Sequence, residues 1–218
     1  MRTDKNNINI AIFASGRGSN FQAILDNIHH GRLAAQVVCV ISDNENAGAL
    51  EIARSNNIPA CFIHRKQFGE KQEYEHQLLC ILQEHNTELI CLAGYLKLIP
   101  TLVVRQFKHR ILNIHPALLP SFGGKGMYGH YVHEAVINYG CKISGATVHL
   151  VDEEYDTGVP IIQQCVPVLE NDTPDSLAAR VLQVEHRIYS QAIQLYAEKR
   201  IKIEDRKVRI LNTSSDMI

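Results

Sequence analysis

The chain has 218 residues, with 22 Lys and Arg against 23 Asp and Glu, so its formal net charge at neutral pH is −1. This length accommodates one large α/β domain or two small ones, and it is ample for a sizeable core. A near-neutral chain lacks the positive charge that a broad phosphate-contacting surface needs, which argues against nucleic acid as a partner. Small molecules are therefore the expected substrates.

The cysteines are scattered without a C-x-x-C pair, and most lie in apolar runs: Cys39, Cys61, Cys80, Cys91, Cys141 and Cys165. This usage is typical of small buried side chains in a reducing compartment, and it indicates neither a zinc site nor a disulfide framework. The apolar run after the polar start of the chain is too short for a signal peptide or a membrane span. We therefore expect a cytoplasmic protein with no metal and no membrane contact.

The first half of the chain, about residues 1–100, alternates short apolar runs with amphipathic segments. Such alternation predicts a mostly parallel, twisted sheet flanked by helices, with a Rossmann-like N-terminal half. Strands are predicted at Ile8–Ala14, Val37–Ile41, Ala60–Ile63 and Leu89–Ala93. Helices are predicted from the Phe21, Ile24, Leu25 and Ile28 stripe, at Ala47–Ser55, and at Phe68–Glu84 with Tyr74, Leu78, Leu79 and Leu82 inward.

The second half, about residues 101–200, continues the α/β pattern, and no repeat or Pro-rich linker interrupts it, which favours one domain over residues 1–218. Strands are predicted at 111–114, Ser144–Val151 and Val159–Val168. Helices are predicted at Thr101–Phe107, at His130–Tyr139 with Val132, Ala135 and Val136 inward, and from Thr173-Pro174 to about Lys199. A β-ribbon is predicted at Arg200–Leu211, followed by a disordered tail at 212–218.

A glycine-bearing turn, Ser15-Gly16-Arg17-Gly18-Ser19-Asn20, joins the first strand to the first helix. Glycine lets the backbone approach a ligand, and the free N–H groups of a helix start favour an anion, so the turn is a candidate phosphate site. It lacks the last glycine of a dinucleotide fingerprint and the lysine of a P-loop. An ordinary turn with Ser19 or Asn20 as helix N-cap stays open as the alternative.

An amide and an imidazole stand two residues apart in Asn113-Ile114-His115-Pro116-Ala117-Leu118-Leu119-Pro120. On a strand, period-two geometry points Asn113 and His115 to the same face, where both can reach one small polar group. The prolines then end the strand. A structural role for both side chains remains the alternative.

Three loops are candidates for the edge of a site. The apolar loop Tyr95–Pro100 follows a strand and forms either the wall of a pocket for a flat ring or packing under the next helix. The segment Ser121–Gly129 is rich in Gly and Ser and is predicted to be mobile. The acidic loop Asp152–Gly158 does not match an EF-hand, and Asp156 is the acid best placed to turn inward.

Together these segments resemble the phosphoribosylglycinamide formyltransferases over residues 8 to 200. The resemblance is carried, in family order, by Ser15–Asn20, Leu92-Ala93-Gly94-Tyr95-Leu96-Lys97-Leu98, Asn113–Pro120, Gly145-Ala146-Thr147-Val148-His149, Asp156-Thr157-Gly158-Val159-Pro160 and Glu185-His186. It implies the formyltransferase fold and the transfer of a formyl group from 10-formyltetrahydrofolate to the amine of glycinamide ribonucleotide in purine synthesis. It also implies a cis Leu119-Pro120 bond.

The chemistry implied by the resemblance needs hydrogen-bond donors for a tetrahedral oxyanion, and such donors contribute roughly 3 to 4 kcal/mol each. By resemblance these are the amide of Asn113 and the imidazole of His115, preferably as imidazolium. Asp156 would orient His115 and favour its charged form, and His149 would support the site from behind. No covalent intermediate and no metal are implied.

The substrate sites also carry over by resemblance. The ribonucleotide phosphate maps to Gly16, Arg17, Gly18, Ser19 and Asn20, and the ribose or amine end to Glu185. The folate maps to Lys71, Tyr95, Leu96, Lys97, Leu98, Ile99 and Asn113. The chain departs from the family at Lys97, where Arg is frequent, at Leu182, where some members are polar, and in Ser121–Gly129, where Lys125 is a candidate replacement for the lost phosphate contact.

Three rival functions share parts of this pattern. A 10-formyltetrahydrofolate hydrolase shares the Asn, His and Asp set but has a further N-terminal domain, for which a first strand at Ile8 leaves no room. A methionyl-tRNA formyltransferase is longer and lacks the phosphate turn. A non-catalytic folate or nucleotide binder would need neither His115 nor Asp156. The expected assembly is a monomer or a homodimer.

Overall fold

The protein is described from a computed structural model covering residues 7–212. Its strands are β1 (Ile8–Phe13), β2 (Ala35–Ser42), β3 (Ala60–Phe62), β4 (Leu89–Leu92), β5 (Ile111–His115), β6 (Ile143–Leu150), β7 (Pro160–Pro167), β8 (Ile201–Glu204) and β9 (Lys207–Ile210). Its α-helices are α1 (Ser19–His29), α2 (Gly48–Ser55), α3 (Lys71–Glu84), α4 (Thr101–Gln106), α5 (His130–Asn138) and α6 (Pro174–Ala197).

Seven of the described strands form one sheet in the order β3-β2-β1-β4-β5-β6-β7. The pairings from β3 to β5 are parallel, and β6 and β7 join antiparallel. The prediction of a mostly parallel α/β sheet with a Rossmann-like first half is confirmed. Because β1, β4 and β5 are parallel neighbours, their carboxyl ends lie at one edge, the position where such sheets bind ligands.

Helices cover both faces of this sheet. The apolar side chains of α1, α2, α5 and α6 pack on one face, and those of α3 and α4 pack on the other. In α6, Tyr189 is fully buried and its hydroxyl shares one hydrogen between the carbonyls of Leu92, at 3.0 Å, and Leu112, at 3.1 Å. This pairing satisfies a polar group inside the core and ties α6 to β4 and β5.

The predicted start of α6 is confirmed. Thr173 is the N-cap, Pro174 occupies the first turn, and the Thr173 hydroxyl accepts the N–H of Ser176 at 3.2 Å. The C-terminal ribbon is also confirmed, with β8 paired to β9 around the turn at 205–206. The tail predicted for 212–218 lies outside the described residues except for its first residue.

The helix predicted from Phe68 starts later, at Lys71. Phe68 is extended, with ψ of 140°, after a short 3-10 turn at Arg65–Gln67. Glu70 is the N-cap, and its N–H donates to the Glu73 carboxylate at 3.2 Å, so the true start is a capping box with Glu in place of Ser or Thr.

Several predicted inward positions differ from the structure. In α3 Ile81 is buried and Leu79 is half-buried, and in α5 His133 is buried where Ala135 was predicted. All six cysteines are free, but Cys80 and Cys165 are exposed, so the prediction of buried thiols is wrong for these two. Among the described helices, none is both long and apolar enough to cross a bilayer.

Candidate active site

A cleft of about 960 Å³ opens at the carboxyl edge of the sheet. Parts of the chain that are far apart in sequence line it: Gly16–Asn20, Leu92–Ile99, Asn113–Pro116, Gly124–His130, Glu154–Asp156 and, from α6, Asp175 to Glu185. The turn after β1, the loop after β4 and the end of β5 therefore meet around one space, as the parallel topology requires.

Asn113 and His115 project from the last residues of β5 and both line this cleft. In the pairing with β6, Asn113 lies opposite His149 and His115 lies opposite Thr147, which confirms that the two side chains share one face. His115 is buried, and its Nε2 is 2.8 Å from the carbonyl oxygen of Phe122. Since a carbonyl only accepts, Nε2 carries the hydrogen and Nδ1 is left to face the cleft.

Asp156 arrives from the loop between β6 and β7 with its side chain turned inward, as predicted. Its backbone is in the left-handed region, with φ of 57°. Oδ2 lies 3.6 Å from His115 Nδ1 and accepts the N–H of Gly124 at 2.9 Å. Oδ1 lies 3.4 Å from Asn113 Nδ2. Burial alone would raise the pKa of Asp156, but the neighbouring His149 and His115 and the Gly124 N–H together lower it, so the carboxylate is ionised at neutral pH.

His149 lines the cleft beside Asn113 and holds its amide. His149 Nδ1 is 2.7 Å from the carbonyl oxygen of Leu150, so this nitrogen donates and Nε2 is free to accept. Asn113 Nδ2 lies 3.0 Å from His149 Nε2, which fixes the amide with its nitrogen toward the histidine and Asp156. The supporting role expected for His149 stays a prediction.

The expected imidazolium form of His115 does not match its surroundings. Burial lowers the pKa of His115 below its usual value, and the neighbouring Asp156 and the bond to Phe122 only partly oppose this. The net effect favours the neutral ring over the imidazolium. A neutral ring with its proton on Nε2 presents a basic Nδ1 beside a carboxylate, the arrangement of a base that becomes charged during a reaction.

The turn after β1 begins α1 without a side-chain cap. Gly18 is the N-cap, with φ of 84°, and a Cβ there would lie 2.9 Å from the Cα of Ala49. The alternative that Ser19 or Asn20 caps the helix is wrong, because Asn20 turns away and its Nδ2 donates to Glu185 Oε2 at 2.7 Å. The first-turn N–H groups of α1 are left open to the cleft by this arrangement.

Glu185 lies on α6 at the far wall of the cleft and is buried. Burial raises the pKa of Glu185, and the hydrogen bond from Asn20 partly offsets the rise. Asn20 and Glu185 are separated by 165 residues in sequence and meet only because α1 packs against α6. A buried carboxyl held by one amide keeps further acceptor capacity for a hydroxyl or amine.

The loop after β4 both lines the cleft and packs under the next helix, the two roles that its sequence left open. Tyr95 and Ile99 are buried in the core under α3 and α4, whereas Leu96 and Leu98 are 46% and 42% exposed and line the cleft. Lys71 does not join them. It lies at the start of α3, pairs with Glu75 at 3.3 Å and is not among the cleft-lining residues.

The glycine-rich segment Ser121–Gly129 contacts the rest of the protein at several points, and its predicted mobility stays a prediction. Phe122 and Met127 pack against the core, and the backbone of Phe122 and Gly124 binds His115 and Asp156. Lys125 lines the cleft, as does Leu182. The Leu119-Pro120 bond is cis, as the resemblance implied.

Sequence reasoning missed three residues that shape the site. The Thr147 hydroxyl donates to the Ala117 carbonyl at 2.6 Å and accepts the Leu119 N–H at 3.1 Å. Gln163 Nε2 donates to the Leu119 carbonyl at 2.8 Å. These bonds fix the chain as it leaves β5, and the only sequence signal for them was the outward-facing position of Thr147 beside His149.

His133 is the third missed residue. It lines the cleft from α5, is buried, and its Nδ1 has no hydrogen-bond partner among residues 7–212. Burial, with smaller effects from His130 and His115, lowers the pKa of His133 to about 4. The sequence shows only a His on the apolar side of a predicted helix. It does not show whether the imidazole lies in the core or faces a cleft.

We expect His133 to make the protein acid-sensitive. Its folded pKa is below the unfolded value, so its contribution is complete above pH 6.5 and is lost between pH 6.5 and 4, by up to about 3 kcal/mol. His133→Leu should flatten the dependence of unfolding free energy on pH in that window, measured by urea titrations at pH 7 and 4.5. His76→Gln, at an exposed histidine that does not affect His133, is the control, and parallel losses in wild type and His133→Leu would contradict the assignment.

No group of three or more His, Cys, Asp or Glu within the described part of the chain is arranged to hold a metal ion. The amide, imidazole and carboxylate at the end of β5 are instead a set suited to binding a carbonyl group and moving a proton at an adjacent atom. The turn after β1 lines the same cleft at the start of α1, where free N–H groups favour an anion. Fold and site together define a group-transfer enzyme of the α/β class.

The profile of the family described as formyl transferase matches residues 8–193, and the chain belongs to this family. Phosphoribosylglycinamide formyltransferase, chloroplastic, from Arabidopsis thaliana is 43% identical over 208 residues, covering 95% of this chain and 71% of that protein. The crystal structure of glycinamide ribonucleotide transformylase 1 from Symbiobacterium toebii is similar at 40% identity and a TM-score of 0.90, covering 97% of this chain and 98% of that one.

A formyltetrahydrofolate deformylase from Pseudomonas syringae pv. tomato also has a similar structure, with a TM-score of 0.84. It is 24% identical and covers 94% of this chain and 66% of that one. At this identity the likeness concerns the fold alone. The fold alone therefore does not show whether an amine or water accepts the formyl group. The residues that line the cleft determine the acceptor.

Proposed function

We propose that this chain is a phosphoribosylglycinamide formyltransferase. It transfers the formyl group of 10-formyltetrahydrofolate to the amine of glycinamide ribonucleotide, a step of purine biosynthesis. The observation that carries the proposal is the meeting of Asn113, His115 and Asp156 in one cleft with a phosphate-type turn. The names of the relatives at 43% and 40% identity support the same reaction.

The reaction starts when the amine nitrogen attacks the formyl carbon and the carbonyl electron pair moves onto oxygen. Asn113 Nδ2 donates to this oxyanion with the hydrogen that points toward Asp156, a long contact of 3.4 Å that is easily given up. His115 Nδ1 takes the proton of the attacking amine. The resulting imidazolium is stabilised by the Asp156 carboxylate 3.6 Å away. Forming the charged ring beside a carboxylate costs less free energy than forming it in a buried site without one.

The second half reverses the movement of electrons and protons. The oxyanion re-forms the carbonyl, the bond from the formyl carbon to the folate nitrogen breaks, and its electron pair stays on that nitrogen. The proton held by His115 passes to the nitrogen, directly or through a water. The products are formylglycinamide ribonucleotide and tetrahydrofolate, and no bond to the protein is formed at any stage.

The proposed substrate sites follow the two ends of the cleft. The phosphate binds the open N–H groups of Gly16, Arg17, Gly18, Ser19 and Asn20, and the ribose or amine end binds Glu185. The folate ring lies against Leu96 and Leu98, with Tyr95, Lys97, Ile99 and Asn113 completing the pocket. Lys71 is kept for the glutamate tail only as a prediction, since its pair with Glu75 holds it outside the cleft.

One assay separates this function from its rivals. Purified protein is mixed with 10-formyltetrahydrofolate, and tetrahydrofolate formation is followed with and without glycinamide ribonucleotide. We expect formation only with the ribonucleotide, with formylglycinamide ribonucleotide appearing in equal amount. Equal rates without it would instead establish the hydrolase, and no reaction in either case would establish a non-catalytic binder.

Glu185 gives a prediction specific to the ribonucleotide. Glu185→Gln keeps the size of the side chain but replaces one acceptor oxygen by a donor, so the KM for glycinamide ribonucleotide should rise about tenfold, the loss of one hydrogen bond to a charged group. The KM for the folate should stay within about twofold, because Glu185 lies on the opposite wall. Glu170→Gln, at an exposed residue before α6, is the control. An unchanged ribonucleotide KM would remove Glu185 from the site.

Localisation, assembly and domain organisation complete the proposal. Six free cysteines favour a reducing compartment such as the cytoplasm, although the Arabidopsis relative carries the word chloroplastic in its name. We keep a single domain over residues 1–218, with a phosphate-binding half at about 1–100 and a folate half at about 101–200, acting as monomer or homodimer without nucleic acid, membrane or metal. Cell fractionation tests the localisation, and light scattering tests whether the protein is a monomer or a homodimer.

A further inference from the structure

Ser15 joins the two ends of the cleft from beneath. It follows β1, is buried, and is not among the residues that line the cleft. Its hydroxyl donates to Asp43 Oδ1 at 2.5 Å and accepts the backbone N–H of Leu96 at 3.0 Å. Its own N–H donates to the Gly94 carbonyl at 3.0 Å. One residue therefore fastens the loop after β4 to the first residue of the phosphate turn.

Asp43 binds a residue of the protein, whereas an acid in this part of such a fold commonly binds a ligand. In dinucleotide-binding sheets an acid beyond the glycine-rich turn binds ribose hydroxyls of the ligand. Here Asp43 follows β2 but does not line the cleft, and its carboxylate accepts from Ser15 and lies 3.9 Å from Lys97 Nζ. Its side chain is only 10% exposed. The acid therefore acts inside the protein, where it orients the Ser15 hydroxyl so that an oxygen lone pair faces Leu96.

Tyr95 also anchors the loop after β4 on this side. The Tyr95 ring packs edge-on against Phe13, with centroids 5.3 Å apart, and its hydroxyl lies 3.5 Å from that of Tyr74. This anchor fixes a side chain beneath the loop, whereas Ser15 fixes the backbone at the residue that enters the cleft. Leu96 has no strand or helix partner for its N–H, so loss of the Ser15 hydroxyl would leave that backbone group to water.

We propose that Ser15 is a positioning residue that sets the Leu96–Leu98 wall relative to the phosphate turn and so holds the two substrates in register. The inference rests on the proposed function, because it assigns the folate to this wall. The hydroxyl acts only through Leu96 and touches neither substrate. Loss of the hydroxyl should therefore weaken folate binding. Ribonucleotide binding should be spared, because backbone groups that Ser15→Ala leaves in place hold the phosphate.

Ser15→Ala is the test, and Ser42→Ala is its matched control. Ser42 is also a buried serine at a strand end, but its hydroxyl binds only the backbone of Asn44. We expect Ser15→Ala to raise the KM for 10-formyltetrahydrofolate and the Kd for tetrahydrofolate, by calorimetry, about tenfold, the loss of one to two hydrogen bonds. The ribonucleotide KM should change less than threefold, and Ser15→Thr, which keeps the hydroxyl, should restore folate binding.

Two outcomes would overturn the inference. The first is a wild-type folate KM and Kd in Ser15→Ala, and the second is an equal rise in Ser15→Ala and Ser42→Ala, which would indicate general loosening. Hydrogen exchange of the wild type avoids any folding defect of the variants: the Leu96 amide should exchange at least about 100-fold slower than an open loop amide, and an unprotected amide sinks the proposal. Failure of the proposed function is separately visible, as wild-type protein inactive with the ribonucleotide.

Discussion

His115→Ala should lower kcat by about 10³-fold while the protein stays folded. The variant removes the group that takes the amine proton, and general base catalysis contributes roughly 10² to 10⁴-fold. It also removes the imidazolium that faces the reacting atoms in the second half of the reaction. Single-turnover rates of tetrahydrofolate formation measure the loss without interference from product release, and calorimetric binding of tetrahydrofolate checks that the cleft persists.

The control for this variant is His76→Ala, which removes an exposed imidazole on α3 outside the cleft. Its rate should equal that of the wild type. A His115→Ala enzyme that keeps more than about a tenth of the wild-type kcat would exclude His115 as the base, since even weak general base catalysis exceeds that factor. Binding of both substrates should change far less than kcat, because the ring acts on the transition state.

Asp156→Asn should reduce kcat by about two to three orders of magnitude, and it should also move the pH profile. The carboxylate raises the pKa of His115 against the larger effect of burial. Removing the charge therefore lowers that pKa further, so the acid limb of kcat/KM shifts to lower pH while the plateau falls. In the wild type the limb should already lie below pH 6.5, since the pKa of His115 is lowered overall.

Rate profiles from pH 4.5 to 8 in wild type and Asp156→Asn measure both effects. Glu153→Gln is the control, because Glu153 lies on the same loop but is exposed and pairs with Arg105 at 2.9 Å outside the cleft. An acid limb that moves to higher pH in Asp156→Asn would contradict the electrostatic role of the carboxylate. A wild-type plateau in the variant would contradict any role in the reaction.

Local patterns in the sequence were sufficient for most of the architecture. The buried run at β1 and the stripe of α6 specify their elements because period and capping act over a few residues. The bounds and buried residues of helices with weaker sequence patterns were predicted less accurately. The start of α3 was missed by three residues because Glu70 caps the helix where Ser or Thr is commonly found, and α5 was given Ala135 in place of His133.

The protonation of the site could not follow from the sequence. Resemblance favoured a charged His115, yet the pKa of this ring depends on how completely β5, β6 and the 121–129 segment exclude water. The same holds for Glu185, whose burial depends on the packing of α1 against α6. Desolvation is a property of the whole fold, and it decides which groups bear charge at pH 7.

The sequence by itself determined the α/β class, the shared face of Asn113 and His115, and the inward turn of Asp156. These follow from strand period, the alternation of elements and family motifs, which are local or ordered along the chain. The tertiary structure alone decided that Asn20 binds Glu185, that Ser15 holds Leu96, and that a glycine-rich segment is fastened to the two reacting side chains. Such contacts join residues up to 165 positions apart, and they exist because helix α1 packs against helix α6 and because several loops meet at the carboxyl edge of the sheet.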